Sequence, residues 1–465
     1  MSLTIGVLPL ARPTFDVPYA EAMAATAFAS LEAAGFAVKG SRALLFDAAA
    51  TQAALAGLAD DKLDLLLVLQ VTFADALMVV EIARAARCPL AVWAFPEPRA
   101  GGRLRLNSFC GLNLAAHALG RAGQEFGWLY LSPDASGAAG RVAALARGEK
   151  PALLLQPQGP MGDRAAAREV LEDLQGTRIG LIGEHPAGFD TCRHDPAEMA
   201  KLAGVEVVAF PLAHLFARAK AAAAIPGMLD DWQERAGELA GVETLVPGEV
   251  RKSLALAAAL EEIEQDNGLS ALAVRCWPET FTDYGCAICA PMGFLTEDGT
   301  PCACEADVFG ALTCMILNAV AQEPSWLVDV VDMDAASNTA VVWHCGSAPL
   351  SMADDNDVPR AQIHSNRKMA LLQEFSLKPG RITVARISQA RNEVTMVLAG
   401  AEVLRAPKSF TGTSGVVRFD RDAGQVLDNM MGLALEHHVA IVYGEHRPAL
   451  RALAGEMGIG VVEMG

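Results

Sequence analysis

The sequence predicts an α/β fold: two doubly wound parallel-sheet (Rossmann-like) domains followed by a mainly antiparallel β C-terminal domain. Apolar strand-like runs alternate with alanine-rich helical runs over the first two thirds of the 465 residues. A segment rich in proline and glycine at 151–162 interrupts this alternation. After Trp326, short strand-like runs separated by turn residues replace it. These changes predict domains at 1–150, 151–324 and 325–465.

The first domain alternates strands with helices. We predict strands at 3–9, 63–68, 89–95 and 127–131, and helices at 19–34, 74–86 and 112–122. Gly35 follows the first helix, where glycine is common because it tolerates the left-handed backbone that ends a helix. Strands that alternate with helices form a parallel sheet covered on both faces.

The second domain repeats this pattern. We predict strands at 177–183, 205–210 and 269–276, and helices at 197–202, 212–224, 250–267 and 306–321. Ligands of doubly wound sheets bind at the carboxyl ends of the strands. Glu184 and His185 follow the first of these strands and Trp277 follows the third, so we select them as substrate-binding candidates. The alternatives are an ordinary polar loop and a tryptophan used for packing.

The third domain carries short strands at 326–331, 339–344, 381–387, 393–399, 401–405 and 415–419. Their frequent turns predict a small antiparallel sheet or barrel. A helix at 447–456 and one last strand close the chain.

Composition and charge narrow the class of partner. The formal net charge is −18, which argues against nucleic acid and anionic membranes because both require basic surfaces. The first residues have no basic segment of the kind that opens a signal peptide. We find no run of about 18 apolar residues that could span a membrane. We therefore expect a cytoplasmic protein with a small-molecule substrate.

Four of the ten cysteines form a CxxC and a CxC pattern, at Cys286, Cys289, Cys302 and Cys304. Ligands of this type hold structural zinc in many proteins. Both pairs lie in an apolar context, and buried free thiols are common in cytoplasmic proteins. We expect free thiols and keep structural zinc as the alternative.

Three residues at the edges of apolar elements carry the strongest chemical signal. Glu305 precedes a helical run, Asp329 lies inside a strand-like run, and His438 opens another. Two carboxylates and an imidazole can hold a divalent cation such as Mn²⁺ or Mg²⁺, although a buried salt bridge is the alternative. His437 should point to the opposite face of the strand from His438, because side chains alternate along a strand.

Four segments of the chain resemble the L-fucose isomerase family and, more loosely, L-arabinose isomerase. Asp329 follows Glu305 by 24 positions, which is the spacing in that family. The segments that carry the resemblance are 5–7 with the Arg-Pro-x-x-Asp turn at 12–16, Cys304–Asp307 with Gly310, Leu327–Val330, and His438–Gly444 with 458–462.

The resemblance implies a metal site and a proton-transfer role. The matching Glu305, Asp329 and His438 bind Mn²⁺, with Mg²⁺ or Co²⁺ as alternatives, and the two carboxylates move protons. His344 lies in a segment that resembles a loop near the sugar, although the family lacks histidine there; the alternative is a histidine that bonds a loop carbonyl. Arg12 would bind sugar hydroxyls, reaching into a neighbouring subunit of a trimer or hexamer.

These observations predict a metal-dependent isomerase that interconverts an aldose and a ketose through an ene-diolate intermediate. The alternatives are other metal-assisted sugar or sulfosugar chemistry, of the epimerase or aldolase type, and a non-catalytic sugar-binding protein on the same scaffold.

Overall fold

A five-stranded parallel sheet with strand order β2-β1-β3-β4-β5 forms the first part of the computed structural model, which describes residues 2–155 and 158–465 without the side chain of residue 190. Its elements are β1 Thr4–Leu10, α1 Val17–Ala33, β2 Ala37–Gly40, α2 Ala48–Ala56, β3 Leu65–Gln70, α3 Ala76–Ala85, β4 Leu90–Ala94, α4 Ser108–Arg121, β5 Gly127–Tyr130 and α5 Ala138–Ala146. Its central strands β3 and β4 are buried and apolar except for Gln70 at the end of β3, as a sheet covered on both faces requires.

A second parallel sheet has four strands in the order β7-β6-β8-β9. Its elements are α6 Arg164–Leu174, β6 Arg178–Ile182, α7 Pro196–Ala203, β7 Glu206–Phe210, α8 Leu212–Ala224, α9 Asp230–Gly237, α10 Pro247–Asn267, β8 Ala271–Val274, α11 Cys289–Glu297, β9 Cys302–Cys304 and α12 Val308–Ala321. Asp307 caps the last helix by accepting a hydrogen bond from the backbone N–H of Gly310.

A nine-stranded mixed sheet forms most of the remainder. Its elements are β10 Trp326–Asp334, β11 Thr339–His344, β12 Arg360–Ile363, β13 Ala370–Ser376, β14 Gly380–Ser388, β15 Thr395–Leu404, β16 Thr413–Phe419, α13 Ala423–Leu433, β17 His438–Tyr443, α14 Arg447–Met457 and β18 Gly460–Glu463. A pairing between β15 and β16 closes six of the strands into a ring, in the order β16-β11-β10-β17-β14-β15.

The α/β class and the two parallel sheets are confirmed, and the third sheet is mixed. Most of its neighbouring strands run antiparallel, but β13 pairs with β16 and β15 with β18 in parallel. The domain boundaries stay a prediction, and the predicted linker at 151–162 includes residues 156 and 157, which lie outside the described residues.

The two strands predicted at 393–399 and 401–405 form one strand, β15. Gly400 indicated a turn, yet it pairs with Thr383 inside the sheet. A Cβ at Gly400 would meet the side chains of Arg381, Asp420 and Arg447. The glycine therefore allows these charged side chains to lie close to the strand backbone. The pattern also failed to predict α13, whose Gly424 and Gly432 weaken the helical signal.

Helix α4 joins the first sheet to the third. It packs against β4 on one side and against β10 and α13 on the other. One apolar cluster therefore contains Val68 of β3, Leu112 of α4 and Val328 of β10. This packing holds the first sheet beside the strand that carries Asp329.

Across residues 2–155 and 158–465, every helix is too short or too polar to cross a lipid bilayer. The cytoplasmic location stays a prediction.

Candidate active site

Three separate elements bring Glu305, Asp329 and His438 together. Glu305 directly follows β9 at the carboxyl end of the second sheet, Asp329 lies within β10, and His438 begins β17. β10 and β17 are antiparallel neighbours, and their register places Asp329 opposite His438. All three residues are more than nine-tenths buried. The three candidates that are far apart in the sequence thus share one buried site.

Two atoms of this site face each other without a partner. His438 Nε2 lies 3.5 Å from Asp329 Oδ1 and 3.8 Å from Glu305 Oε2. Neither His438 Nε2 nor Asp329 Oδ1 has a hydrogen-bond partner among the described residues, although both atoms are buried. A buried polar atom without a partner costs roughly 1–3 kcal/mol, so a bound group is expected to compensate it.

Asp307 determines which nitrogen of His438 carries the proton. His438 Nδ1 lies 2.9 Å from Asp307 Oδ2, so Nδ1–H donates to the carboxylate and Nε2 keeps its lone pair. Burial, and then the charge of His437, lower the pKa of His438, which favours the neutral ring. A carboxylate that orients a histidine in this way is typical of metal sites. The donor set of Glu305, Asp329 and His438 therefore fits a divalent cation such as Mn²⁺.

Asp307 is itself held by Arg386. The guanidinium of Arg386 donates to both carboxylate oxygens, at 2.5 Å and 3.0 Å, and both side chains are almost fully buried. Burial opposes ionisation, but Arg386 and then His438 hold the pKa of Asp307 well below its usual range. Asp307 is thus a fixed carboxylate beside the site.

Glu305 is positioned by two donors and by an unusual backbone. Trp277 Nε1 donates to Glu305 Oε1 at 2.9 Å, and His437 Nε2 lies 3.1 Å from Oε2. Burial alone would raise the pKa of Glu305, but the bond to His437 and the charges of both histidines lower it. Glu305 and Ala306 both have positive φ angles, 60° and 56°. A positive φ is a strained conformation for residues other than glycine, and strained residues of this kind are often found at functional sites.

The expectation that His437 points away from the site is wrong. The rule of alternating side chains applies only within a strand, and β17 begins at His438. His437 lies just before it and places its ring centroid 4.0 Å from that of His438. Both histidines lie with Glu305 at metal-ligand spacing, as do Asp329, His344 and His438.

A cavity opens beside the site. The predicted residues Arg12, Trp277, Glu305, Asp329 and His344 all line it. His344 is buried at the end of β11, where its Nδ1 accepts a hydrogen bond from the backbone N–H of Cys345 instead of bonding a carbonyl.

Glu184 and His185 are not among the residues that line this cavity. Glu184 is exposed, and the backbone carbonyls of both residues accept hydrogen bonds from Arg275. The strand-end argument located the correct edge of the sheet for Trp277 but did not specify which side chains turn inward. Substrate binding by Glu184 and His185 stays a prediction.

Arg12 lies in the cavity of its own chain. Its Cζ atom is 5.1 Å from the centroid of the Trp277 ring and 5.4 Å from that of Phe189. The expectation that Arg12 reaches a neighbouring subunit is therefore not supported, because the packing of α4 brings the first sheet to this site within one chain. A trimer or hexamer stays a prediction.

The turn at 364–369 is a cavity segment that sequence reasoning missed. His364, Asn366 and Arg367 line the cavity from this turn, between β12 and β13. The only available signal was a short polar cluster between two strands, which many surface turns share. Their role depends on the pairing of β13 with β16, a long-range contact that the local pattern does not contain.

All ten cysteines are free in the structure. Cys289 Sγ lies 3.4 Å from Cys345 Sγ, and Cys304 Sγ lies 4.0 Å from His344 Nδ1. The groups with metal-ligand spacing among the described residues include no two cysteines together. The pairs at 286–289 and 302–304 thus gain no support as a zinc cluster.

Comparison with known proteins agrees with this geometry. Residues 6–143 match the sequence profile described as "Fucose/sulfoquinovose isomerase, N-terminal domain". A sulfoquinovose isomerase of Priestia aryabhattai is 30% identical over 449 residues, which covers 95% of each chain. The chain belongs to the fucose/sulfoquinovose isomerase family. Sulfoquinovose isomerases of Alkalicoccus urumqiensis and Clostridium sp. (strain MSTE9) are also 30% identical, over 84% of each chain.

Membership of this family confirms the predicted class of enzyme. The chain is a sugar aldose–ketose isomerase. The non-catalytic alternative is accordingly set aside. The metal, the sugar and the residue roles are proposals, to which the geometry above contributes.

Proposed function

We propose that this enzyme isomerises sulfoquinovose to the corresponding 2-ketose at a divalent-metal site formed by Glu305, Asp329 and His438. One observation carries the proposal: His438 Nε2 and Asp329 Oδ1 lie 3.5 Å apart, buried and without hydrogen-bond partners among the described residues, and Asp329 lines the cavity. His438 Nε2 lies 3.5 Å from Asp329 Oδ1 and 3.8 Å from Glu305 Oε2, so the three side chains could share one cation, whereas a closed salt bridge would leave no atom unsatisfied.

The chain's own residues would hold the cation and the sugar in fixed positions. Glu305, Asp329 and His438 supply two oxygens and one nitrogen, a donor set suited to Mn²⁺, with Mg²⁺ or Co²⁺ as alternatives. When bound, such an ion would act as a Lewis acid towards the sugar's carbonyl oxygen and neighbouring hydroxyl. Asp307 and Arg386 keep His438 in the tautomer that this role needs.

Glu305 and Asp329 would carry the protons. Isomerisation moves one hydrogen between C2 and C1 and one proton between the two oxygens, through an ene-diolate. One carboxylate removes the C–H proton and returns it to the adjacent carbon, while the other transfers the hydroxyl proton. The hydrogen bonds from His437 and Trp277 favour the carboxylate form of Glu305, which is the form that can accept a proton.

The substrate assignment is supported by the curated relatives, each named sulfoquinovose isomerase and matched over 84–95% of its length. At 30% identity a sugar preference can change, so the cavity itself must be compatible with an anionic sugar. The cavity includes Arg12 and Arg367 close to the same tryptophan, which is compatible with a sulfonate.

The test is turnover of sulfoquinovose with and without metal. We expect exhaustive chelation to abolish isomerisation, and Mn²⁺ to restore it better than Ca²⁺, because an imidazole ligand disfavours Ca²⁺. Mn²⁺ at a hundredfold excess over its Kd should also stabilise the folded protein by about 2.7 kcal/mol, measured by thermal unfolding.

His438→Gln should lose this thermal stabilisation. The matched control is His446→Gln, since His446 lies after β17 and outside the cavity lining. Full turnover by metal-free protein would contradict the metal site, and metal-dependent turnover of neutral sugars alone would contradict the substrate.

A further inference from the structure

Two arginines in the cavity have no carboxylate partner among the side chains that the structure describes. Other well-buried arginines are paired: Arg386 with Asp307, and Arg451 with Glu463. Arg12 and Arg367 are half-buried and line the cavity, yet neither takes part in any ion pair found in the described part of the chain. Their recorded side-chain contacts are with aromatic rings.

The two guanidinium groups lie beside one indole ring. The Cζ atoms of Arg12 and Arg367 are 5.1 Å and 5.2 Å from the centroid of the Trp277 ring. Burial is the main cause that lowers the pKa of each arginine. The charges of Asp75 and Glu305 act in the opposite direction on Arg12, and the charge of Arg367 adds a smaller lowering. Two like charges brought out of water disfavour each other, and an anion between them would compensate both.

The backbone holds both arginines in place. Arg12 follows β1, and its N–H donates to Thr72 Oγ1 at 2.8 Å. Arg367 lies in a tight turn in which His364 Nδ1 accepts hydrogen bonds from the backbone N–H groups of Asn366 and Arg367, both at 3.2 Å. The fold therefore orders these two backbone segments before a ligand binds, as expected of a binding site.

Trp277 connects this cationic end of the cavity to the reacting end. Its ring lies near both guanidinium groups, while its Nε1 donates to Glu305 at 2.9 Å. The cavity thus has two guanidinium groups beside the Trp277 ring and the candidate ligand Glu305 beside its Nε1. A sugar with a carbonyl at one end and an anionic group at the other matches this arrangement.

We infer that Arg12 and Arg367 form an anion clamp that recognises the sulfonate on C6 of the sugar. The planar donor forks of two guanidinium groups suit the three oxygens of a sulfonate. This inference rests on the proposed function and deepens it, because it names the residues that select a sulfonated sugar. A 6-deoxy sugar has an uncharged methyl group at C6, which cannot accept hydrogen bonds from the two arginines.

The test compares sulfoquinovose with quinovose, which carries hydrogen in place of the sulfonate. We expect Arg12→Gln and Arg367→Gln each to lower the ratio of kcat/KM for sulfoquinovose to that for quinovose by roughly 10- to 100-fold, the effect of losing a charge-assisted hydrogen bond. The lysine variants should regain part of the ratio because they keep the charge. Circular dichroism checks that each variant is folded.

Arg42→Gln is the matched control. Arg42 also lies over an aromatic ring, with Cζ 4.2 Å from the centroid of Phe28, but it pairs with Glu32 outside this cavity. Its sulfoquinovose preference should equal that of the unmodified protein. An unchanged ratio in both Arg12→Gln and Arg367→Gln, in folded protein, overturns the clamp.

A second measurement separates the clamp from the proposed function. Methyl α-sulfoquinovoside has a blocked anomeric carbon and cannot be isomerised, so calorimetry with this compound reports binding alone. If the protein turns over neither sugar, the proposed function fails. Binding of the glycoside that weakens roughly 10- to 100-fold in the two glutamine variants would still support the clamp, and binding unaffected by them would refute it.

Discussion

Asp307 and Asp329 are two buried aspartates on either side of His438, and their surroundings differ completely. Asp307 accepts hydrogen bonds from Arg386, from His438 Nδ1 and from the backbone N–H of Gly310. Asp329 Oδ1 faces His438 Nε2 at 3.5 Å with no hydrogen-bond partner among the described residues. The comparison teaches that burial alone does not identify a functional carboxylate. Between these two aspartates, the saturated carboxylate is the one that positions His438, and the one with an unsatisfied oxygen is the one that lines the cavity.

The largest expected effect is a difference in the free energy of unfolding between variants of these two aspartates. Asp307→Asn leaves the buried Arg386 without its counter-charge, so we expect a loss of about 3–5 kcal/mol in the free energy of unfolding. Asp329→Asn should change it by less than about 1 kcal/mol in metal-free protein, because Oδ1 has no hydrogen bond to lose. Urea unfolding in the presence of a chelator measures both. Equal losses in the two variants would contradict the distinction.

The second prediction concerns turnover. Glu305→Gln and Asp329→Asn should each lower kcat by at least about 100-fold, the lower range for general acid–base groups, since neither amide can accept the proton. Glu402→Gln, which neutralises an exposed carboxylate on β15, is the control and should keep normal turnover. If Glu305→Gln or Asp329→Asn stays close to normal, that residue has no proton-transfer role.

The smallest effect is expected in the surface ion-pair network of Glu445, Arg381 and Arg447. Glu445 accepts hydrogen bonds from Arg381 and Arg447, and these bonds outweigh burial and lower its pKa to about 2. A depressed pKa contributes stability above the unfolded value of about 4.3 and loses it as the pH falls towards 2. Glu445→Gln should cost about 0.5–1 kcal/mol at pH 7, because the group is about one third exposed and solvent screens it.

Thermal unfolding of the Glu445→Gln variant and the unmodified protein should converge between pH 4 and pH 2. A difference that persists at the acid end would assign the effect to packing and not to charge.

The local patterns predicted most of the elements and failed where a long-range contact decided the outcome. Buried apolar strands such as β3 and β4 lie close to the predicted positions because their composition is uniform. Gly400 indicated a turn by its local chemistry, but the approach of three charged side chains keeps it in a continuous strand. His437 was excluded by a rule that holds inside a strand, and the strand begins one residue later.

The sequence by itself determined the α/β class, the strand-end positions of Trp277 and Glu305, and the family spacing between Glu305 and Asp329. These features are local, or depend on positions within one segment, so a single chain contains them. The tertiary structure alone decided that Arg12 enters the cavity of its own chain, that Arg367 lies beside the same indole, and that Asp307 orients His438. Each of these contacts joins segments at least 90 positions apart, and only the packing of α4 and the pairing of the strands in the third sheet bring them together.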